Sequence, residues 1–156
     1  YFCKSSLEVV GIVVIILVVT GVILINNKKG GELETIVEKG YELIAKKKYA
    51  DAEATLSQAL NISRVEPKIY AGLGDIYFEQ KHYNEALAKI QRAIDLSPAN
   101  VEYRVKQAKI YSSNGQLEKA LESYNQVVKI DPKNGVAFYN LGLLYLERKD
   151  VDKARK

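Results

Sequence analysis

From Leu33 onward, the sequence repeats itself with a period of 34 residues. Small residues, alanines and larger apolar residues each recur at this spacing. The three series are Gly40, Gly74, Ala108 and Gly142; Ala52, Ala86, Ala120 and Ala154; and Leu56, Ile90 and Tyr124. A period of this length predicts stacked supersecondary units, each of which buries its apolar face on the next.

The clearest copy of the repeat runs from Pro67 to Asn100. Its spacing resembles the tetratricopeptide repeat, a helix-turn-helix unit, through Tyr70, Leu73, Gly74, Tyr77, Ala86, Ile90, Ala93 and Pro98. No segment alternates with period two, so a sheet is not expected. The resemblance implies an all-α fold, in which an N-terminal hydrophobic helix precedes an α-solenoid of stacked helix-turn-helix repeats. We place the repeats at residues 33–66, 67–100, 101–134 and, incompletely, 135–156.

The fourth unit has only a short second half, which leaves its first helix in need of a partner. We expect the apolar face carrying Phe138, Leu141, Leu144 and Tyr145 to be only partly covered. Three explanations remain open: the native chain continues past Lys156, its end frays, or another chain covers the face.

Residues 1–25 form a separate segment that predicts a membrane or assembly helix. Val9 to Ile25 is a run of 17 residues without a charge, and it includes Ile16. As a helix it would rise about 25 Å, against a hydrocarbon core of about 30 Å. A cleaved signal peptide fits less well, because no small-residue cleavage site follows the run. The sequence therefore predicts a single-pass membrane protein, with residues 26–32 as a linker or a break in a longer helix.

Enzymatic function is not expected. One Cys and one His leave little for a catalytic or zinc site. His82 lies in a predicted turn, and Gly72-Leu73-Gly74 lies in a predicted helix without the strand that a phosphate loop requires. A charge balance of 23 basic and 19 acidic residues, interleaved along the chain, argues against nucleic acid. We expect no cofactor, no metal and no nucleic-acid partner.

Binding is the remaining function, and the resemblance implies a concave groove lined by the first helix of each unit. The expected groove residues are Tyr41, Ile44, Lys68, Asp75, Phe78, Lys106, Lys109, Ser112, Tyr139, Asn140, Leu143 and Leu146. Relatives that bind acidic C-terminal peptides hold the carboxylate with a Lys/Asn set. Here Ala71 and Asp75 stand at the corresponding places, so that clamp is not expected. The alternative is that these residues are ordinary surface and the repeats act as a spacer.

Two functions therefore stay open. The first is a membrane-anchored, non-catalytic scaffold whose repeats recruit a protein or peptide. The second is a subunit of an extracellular filament, because an apolar N-terminal helix before a head domain is also similar to type IV pilin-like subunits. Glu8, beside Val9 at the start of the apolar run, suits that layout, but pilin-like chains typically carry Glu at the fifth place. The absence of Met would fit a processed precursor, and copies of the chain would then be its partners.

Overall fold

The computed structural model describes residues 2–148, with side chains from Leu17 onward. This part of the chain contains seven α-helices and no strand. They are α1 (Phe2–Ala45), α2 (Tyr49–Ile62), α3 (Pro67–Glu79), α4 (Tyr83–Leu96), α5 (Val101–Ser113), α6 (Leu117–Ile130) and α7 (Gly135–Glu147). The predicted all-α solenoid is confirmed, and α3, α5 and α7 begin at the first residues of the predicted units.

Consecutive helices form three hairpins, α1–α2, α3–α4 and α5–α6, and α7 packs on α6. The buried apolar residues divide into three clusters, and each cluster spans three consecutive helices. Leu56, Ile90 and Tyr124, one from each second helix, are almost completely buried. Each hairpin therefore buries its apolar face on its neighbour, as stacked repeats require.

Glycine is required where the helices of a hairpin approach most closely. A Cβ added to Gly74 would lie 2.6 Å from Ile90 Cδ1, and one added to Gly40 would lie 2.5 Å from Leu56 Cδ2. Gly72 closes on Leu56 from the other side, at 2.7 Å from Cδ1. Leu56 is therefore held between the backbones of α1 and α3.

The three hairpin turns have the same backbone conformation. Lys47, Lys81 and Gly115, each one period apart, have φ values of 58°, 63° and 72°. In each turn the next residue donates its N–H to a carbonyl five residues earlier, as in the bond from His82 N to Tyr77 O of 2.8 Å. This is the left-handed ending that commonly terminates a helix, and it lets the chain reverse within three residues.

Asparagine starts the later first helices. Asn134 Oδ1 accepts a hydrogen bond of 3.0 Å from Ala137 N, and Asn100 Oδ1 accepts one of 3.4 Å from Tyr103 N. Glu66 serves the same purpose for α3, accepting from Lys68 N at 3.3 Å. These caps satisfy backbone donors that a helix start leaves without partners.

The expected break at residues 26–32 is wrong, because these residues are helical and lie within α1. Gly30 and Gly31 cost a helix only about 1 kcal/mol each. They also take no left-handed conformation. The long helix is continuous on both sides, so no turn forms at this pair.

The apolar face of α7 is better covered than the sequence suggests. Leu141 and Leu144 are buried in the cluster that α7 shares with α5 and α6. Phe138 is half-exposed, and Tyr145 is partly buried. The expectation that Leu141 and Leu144 need a further partner is therefore wrong, because α6 already provides one.

Candidate functional site

The predicted groove residues recur at fixed positions of the repeat. Tyr41, Asp75, Lys109 and Leu143 are each 34 residues apart, and a second series three residues later is Ile44, Phe78, Ser112 and Leu146. Residues at one repeat position on stacked helices lie in a row across the same surface. The rows cross α1, α3, α5 and α7, the first helices of the units.

The structure brings five of these residues together around one cavity of about 310 Å³, here called the lysine cavity. Its lining residues are Ile44, Ala45, Lys47, Tyr49, Asp75, Phe78, Glu79, Lys106, Lys109 and Ile110. Sequence reasoning missed Lys47, Tyr49 and Ile110. Lys47 and Tyr49 lie beyond the first helix, in the turn and at the start of α2, and only the 34-residue register of the turns could have pointed to them.

An ion pair crosses the floor of the groove. Lys106 Nζ lies 2.7 Å from Asp75 Oδ2 and 2.9 Å from Asp75 Oδ1, so α5 is joined to α3 by a bidentate contact. Glu102 Oε1 is a more distant second partner of Lys106, at 3.7 Å. Burial raises the pKa of the Asp75 carboxyl, and the Lys106 ammonium only partly offsets that rise.

Lys109 is arranged differently from Lys106. Its Nζ lies 4.8 Å from the centre of the Phe78 ring, which is the distance of a cation–π contact. Phe78 in turn packs against Tyr83 of α4, at 6.0 Å between ring centres. The lysine cavity therefore combines an aromatic and aliphatic floor with ammonium groups at its rim.

A second cavity, of about 410 Å³, lies at the other ends of the same helices and is here called the glutamate cavity. It is lined by Val37, Glu38, Tyr41, Lys68, Asn100, Glu102 and Tyr103. The Tyr41 hydroxyl donates to Lys68 O at 2.9 Å, and burial raises the pKa of Tyr41. Two predicted groove residues, Tyr41 and Lys68, are therefore placed here rather than in the lysine cavity.

The predicted residues of α7 line neither cavity. Tyr139, Leu143 and Leu146 are exposed and, with Val136, form an apolar strip along the helix. Asn140 is partly buried, and its side-chain amide donates to Val136 O at 2.7 Å. Cavities form here between neighbouring first helices, and no described helix lies on the far side of α7.

The predicted carboxylate clamp positions behave as expected in one respect. Ala71 is completely buried in the cluster around Ile90 and offers nothing to a ligand. Asp75 faces the groove, but its charge is paired with Lys106. Neither side chain could bind a carboxylate.

The N-terminal prediction falls largely outside the described side chains. Glu8, Val9 and Ile16 lie there, whereas Ile25 is exposed on α1. Within the part of the chain that the structure describes, we find no helix whose length and apolar character would allow it to span a bilayer.

The candidate catalytic residues remain apart from one another. His82 is exposed in its turn, with its ring 6.4 Å from that of Tyr77. Gly72-Leu73-Gly74 is buried inside α3. Among the described residues, no group of three or more His, Cys, Asp or Glu side chains could hold a metal ion.

Comparisons with known proteins support the repeat architecture. A tetratricopeptide repeat model matches residues 67–100, and a TPR repeat model matches residues 108–148. No protein with a curated function matches the sequence significantly. The chain therefore carries tetratricopeptide repeats, whose proteins are generally non-catalytic scaffolds.

Solved structures give the same result. The crystal structure of MamA is 26% identical, with a TM-score of 0.72 over 78% of this chain and 71% of that one. YrrB, described as a TPR protein with an unusual peptide-binding site, is 27% identical, with a TM-score of 0.64 over 74% of this chain and 59% of that one. The first TPR of Spaghetti (RPAP3), bound to the HSP90 peptide SRMEEVD, is 19% identical, with a TM-score of 0.69 over 75% and 93%.

Proposed function

Since residues 67–100 and 108–148 are tetratricopeptide repeats, we propose that this chain is a scaffold that binds a segment of a partner protein in its concave groove. One observation carries the proposal. Five groove residues, from three different repeat units, line a single cavity of about 310 Å³. Two of the similar solved structures are described by their binding of peptides, which supports a peptide as the ligand class.

The lysine cavity has the composition of a binding site. Ile44, Phe78 and Ile110 supply apolar surface, and a few charged groups stand around them. Binding sites commonly combine an apolar lining with a few polar groups that fix orientation. The cavity is large enough for one or two side chains of a partner, while the rest of the segment follows the groove.

We further propose that the scaffold is held at a membrane through residues 9–25. Seven large apolar side chains of α1 between Leu17 and Ile25 are half-exposed or more, so this end of the helix has no partner among the described residues. Exposed apolar surface of this extent favours burial in lipid or in another protein. The filament alternative rests on the same side chains, because copies of α1 could cover one another. Long particles in electron micrographs of native material would favour the filament.

Selection of peptides tests the groove directly. The full chain, solubilised in a mild detergent, would be immobilised and exposed to a display library of random twelve-residue peptides. We expect enriched peptides that bind Ile44→Ser at least fivefold more weakly than the parent protein, because that substitution removes apolar surface from the lysine cavity.

Ile130→Ser is the matched control, since Ile130 is a half-exposed isoleucine on α6, outside both cavities. It should bind the selected peptides as the parent does, and circular dichroism should show that both variants keep their helix content. A library without any enriched peptide, or equal weakening by the two variants, would contradict a peptide-binding groove.

A further inference from the structure

The two cavities of the groove carry opposite charge. The lysine cavity is lined by Lys47, Lys106 and Lys109 against Asp75 and Glu79. The glutamate cavity is lined by Glu38 and Glu102 against Lys68, and the adjoining surface adds Glu34 and Glu66. A partner that crosses the groove therefore meets a cationic end and an anionic end.

The charges in the lysine cavity are not equally available. Asp75 and Lys106 neutralise each other at 2.7 Å. Within residues 17–148, neither Lys47 nor Lys109 has a carboxylate within 4.0 Å. Lys109 is also exposed, with Phe78 beneath its ammonium group. A carboxylate entering this cavity would meet two cations and would displace no existing ion pair.

The glutamate cavity is the reverse case. Glu38 is exposed and has no cationic partner within 4.0 Å in the described part of the chain. Glu102 contacts Lys106 only at 3.7 Å, and its side chain remains 71% exposed. An incoming cation would therefore find two carboxylates with little compensation.

The spacing of the two ends sets the length of the ligand motif. The starts of α3 and α5 share the glutamate cavity, and their later turns share the lysine cavity, so these helices run side by side in one direction. Glu102 and Lys109 are seven residues apart on α5, which is about 10 Å along the axis at roughly 1.5 Å per residue. An extended peptide covers about 10 Å in three residues.

We infer that the groove selects an extended segment in which an acidic and a basic side chain stand three residues apart, on either side of an apolar residue. The acidic side chain enters the lysine cavity beside Lys109, and the basic one reaches Glu38 and Glu102. The apolar residue packs on Phe78 and Ile44. This inference rests on the proposed function and adds the chemistry and the direction of the ligand.

Three labelled peptides test the charge pattern: acetyl-GELAKG-amide, acetyl-GKLAKG-amide and acetyl-GELAEG-amide. Each would be titrated into the isotope-labelled full chain in detergent, and amide chemical-shift changes would give the affinity. We expect the first peptide to bind about five- to tenfold more tightly than the other two at low salt, because each of those places one like charge at one end. The preference should shrink as salt screens the charges.

Charge reversal in the protein sharpens the test. Lys109→Glu should weaken acetyl-GELAKG-amide about tenfold and bind acetyl-GKLAKG-amide more tightly than the parent does. Lys129→Glu is the matched control, since it makes the same change in net charge on the exposed end of α6. It should leave the order of the three peptides unchanged.

The outcomes separate this inference from the proposed function. If the three peptides bind equally, or if Lys109→Glu and Lys129→Glu act alike, the charge pattern is wrong. Peptides enriched from the random library without an acidic and a basic residue at this spacing would also overturn it, while leaving peptide binding intact. A library that yields no ligand would contradict the proposed function itself.

Discussion

Two neighbouring positions of the repeat differ in what they tolerate. One position carries Gly40, Gly74, Ala108 and Gly142, and the next carries Tyr41, Asp75, Lys109 and Leu143. The first series faces the second helix of its own hairpin, where only small residues fit against side chains such as Ile90. The second series faces the groove. Packing therefore fixes residue size at one position, while the adjacent position is left to differ in charge and polarity.

The largest expected effect separates two members of the small-residue series. Gly74→Ala should lower the free energy of unfolding by about 2 kcal/mol, because overpacking a tight contact typically costs 1–3 kcal/mol. The new Cβ would lie 2.6 Å from Ile90 Cδ1 and 2.8 Å from Ile90 Cγ1. Gly142→Ala should instead raise stability by about 0.5–1 kcal/mol, through helix propensity alone.

The reason for the opposite signs is the space around Gly142, where a Cβ would meet no described atom within 4 Å. Urea unfolding followed by circular dichroism would measure both variants under the same conditions. If Gly142→Ala destabilised the protein as much as Gly74→Ala, a partner for that face of α7 would have to exist.

The sequence predicted the packed positions better than the groove. Spacing alone indicated that Gly74 and Ala86 let two helices approach, because close approach leaves a repeated trace of small residues. Groove lining depends on which helices are neighbours and where their ends meet. That is why Lys47 and Tyr49 were missed and why Leu143, at the same repeat position as Asp75, lines neither cavity.

The continuous α1 shows a second limit of local signals. Residues 26–32 contain a Gly pair and predict a break, yet α1 runs through them to Ala45. The glycines at the true hairpin turn and at the helix contacts have structural reasons, whereas Gly30 and Gly31 have no described neighbour within 4 Å. A glycine pair therefore permits a turn without requiring one.

A smaller effect is expected at the hairpin turns, which also compare matched positions. Lys81 and Gly115 hold the same left-handed conformation, with φ of 63° and 72°. Lys81→Gly should raise the free energy of unfolding by about 0.5–1 kcal/mol, because glycine adopts this conformation without steric cost. Gly115→Ala should lower it by a similar amount. Thermal unfolding of both variants checks the pair, and a loss of stability in Lys81→Gly would contradict the assignment of strain.

The smallest effect concerns Asp75, the acidic member of the groove series. Its pKa is raised in the folded chain chiefly by burial, while Lys106 lowers it through charge and a hydrogen bond. A raised pKa means that the fold binds this proton more tightly than the unfolded chain does. The stabilisation from that proton is therefore fully present below the ordinary Asp pKa of about 4 and is lost as pH rises through the raised value.

Removing the lysine should enlarge this effect. Lys106→Met takes away both of its influences, so the pKa of Asp75 should rise further, while Lys129→Met should leave it unchanged. Carboxyl-detected NMR titration of the two variants and the parent gives the pKa directly. In Asp75→Asn the corresponding loss of stability with rising pH should disappear. An unchanged or lower pKa in Lys106→Met would mean that the ion pair does not hold Asp75 in its charged form. The groove would then present Lys106, and not only Lys109, to a partner.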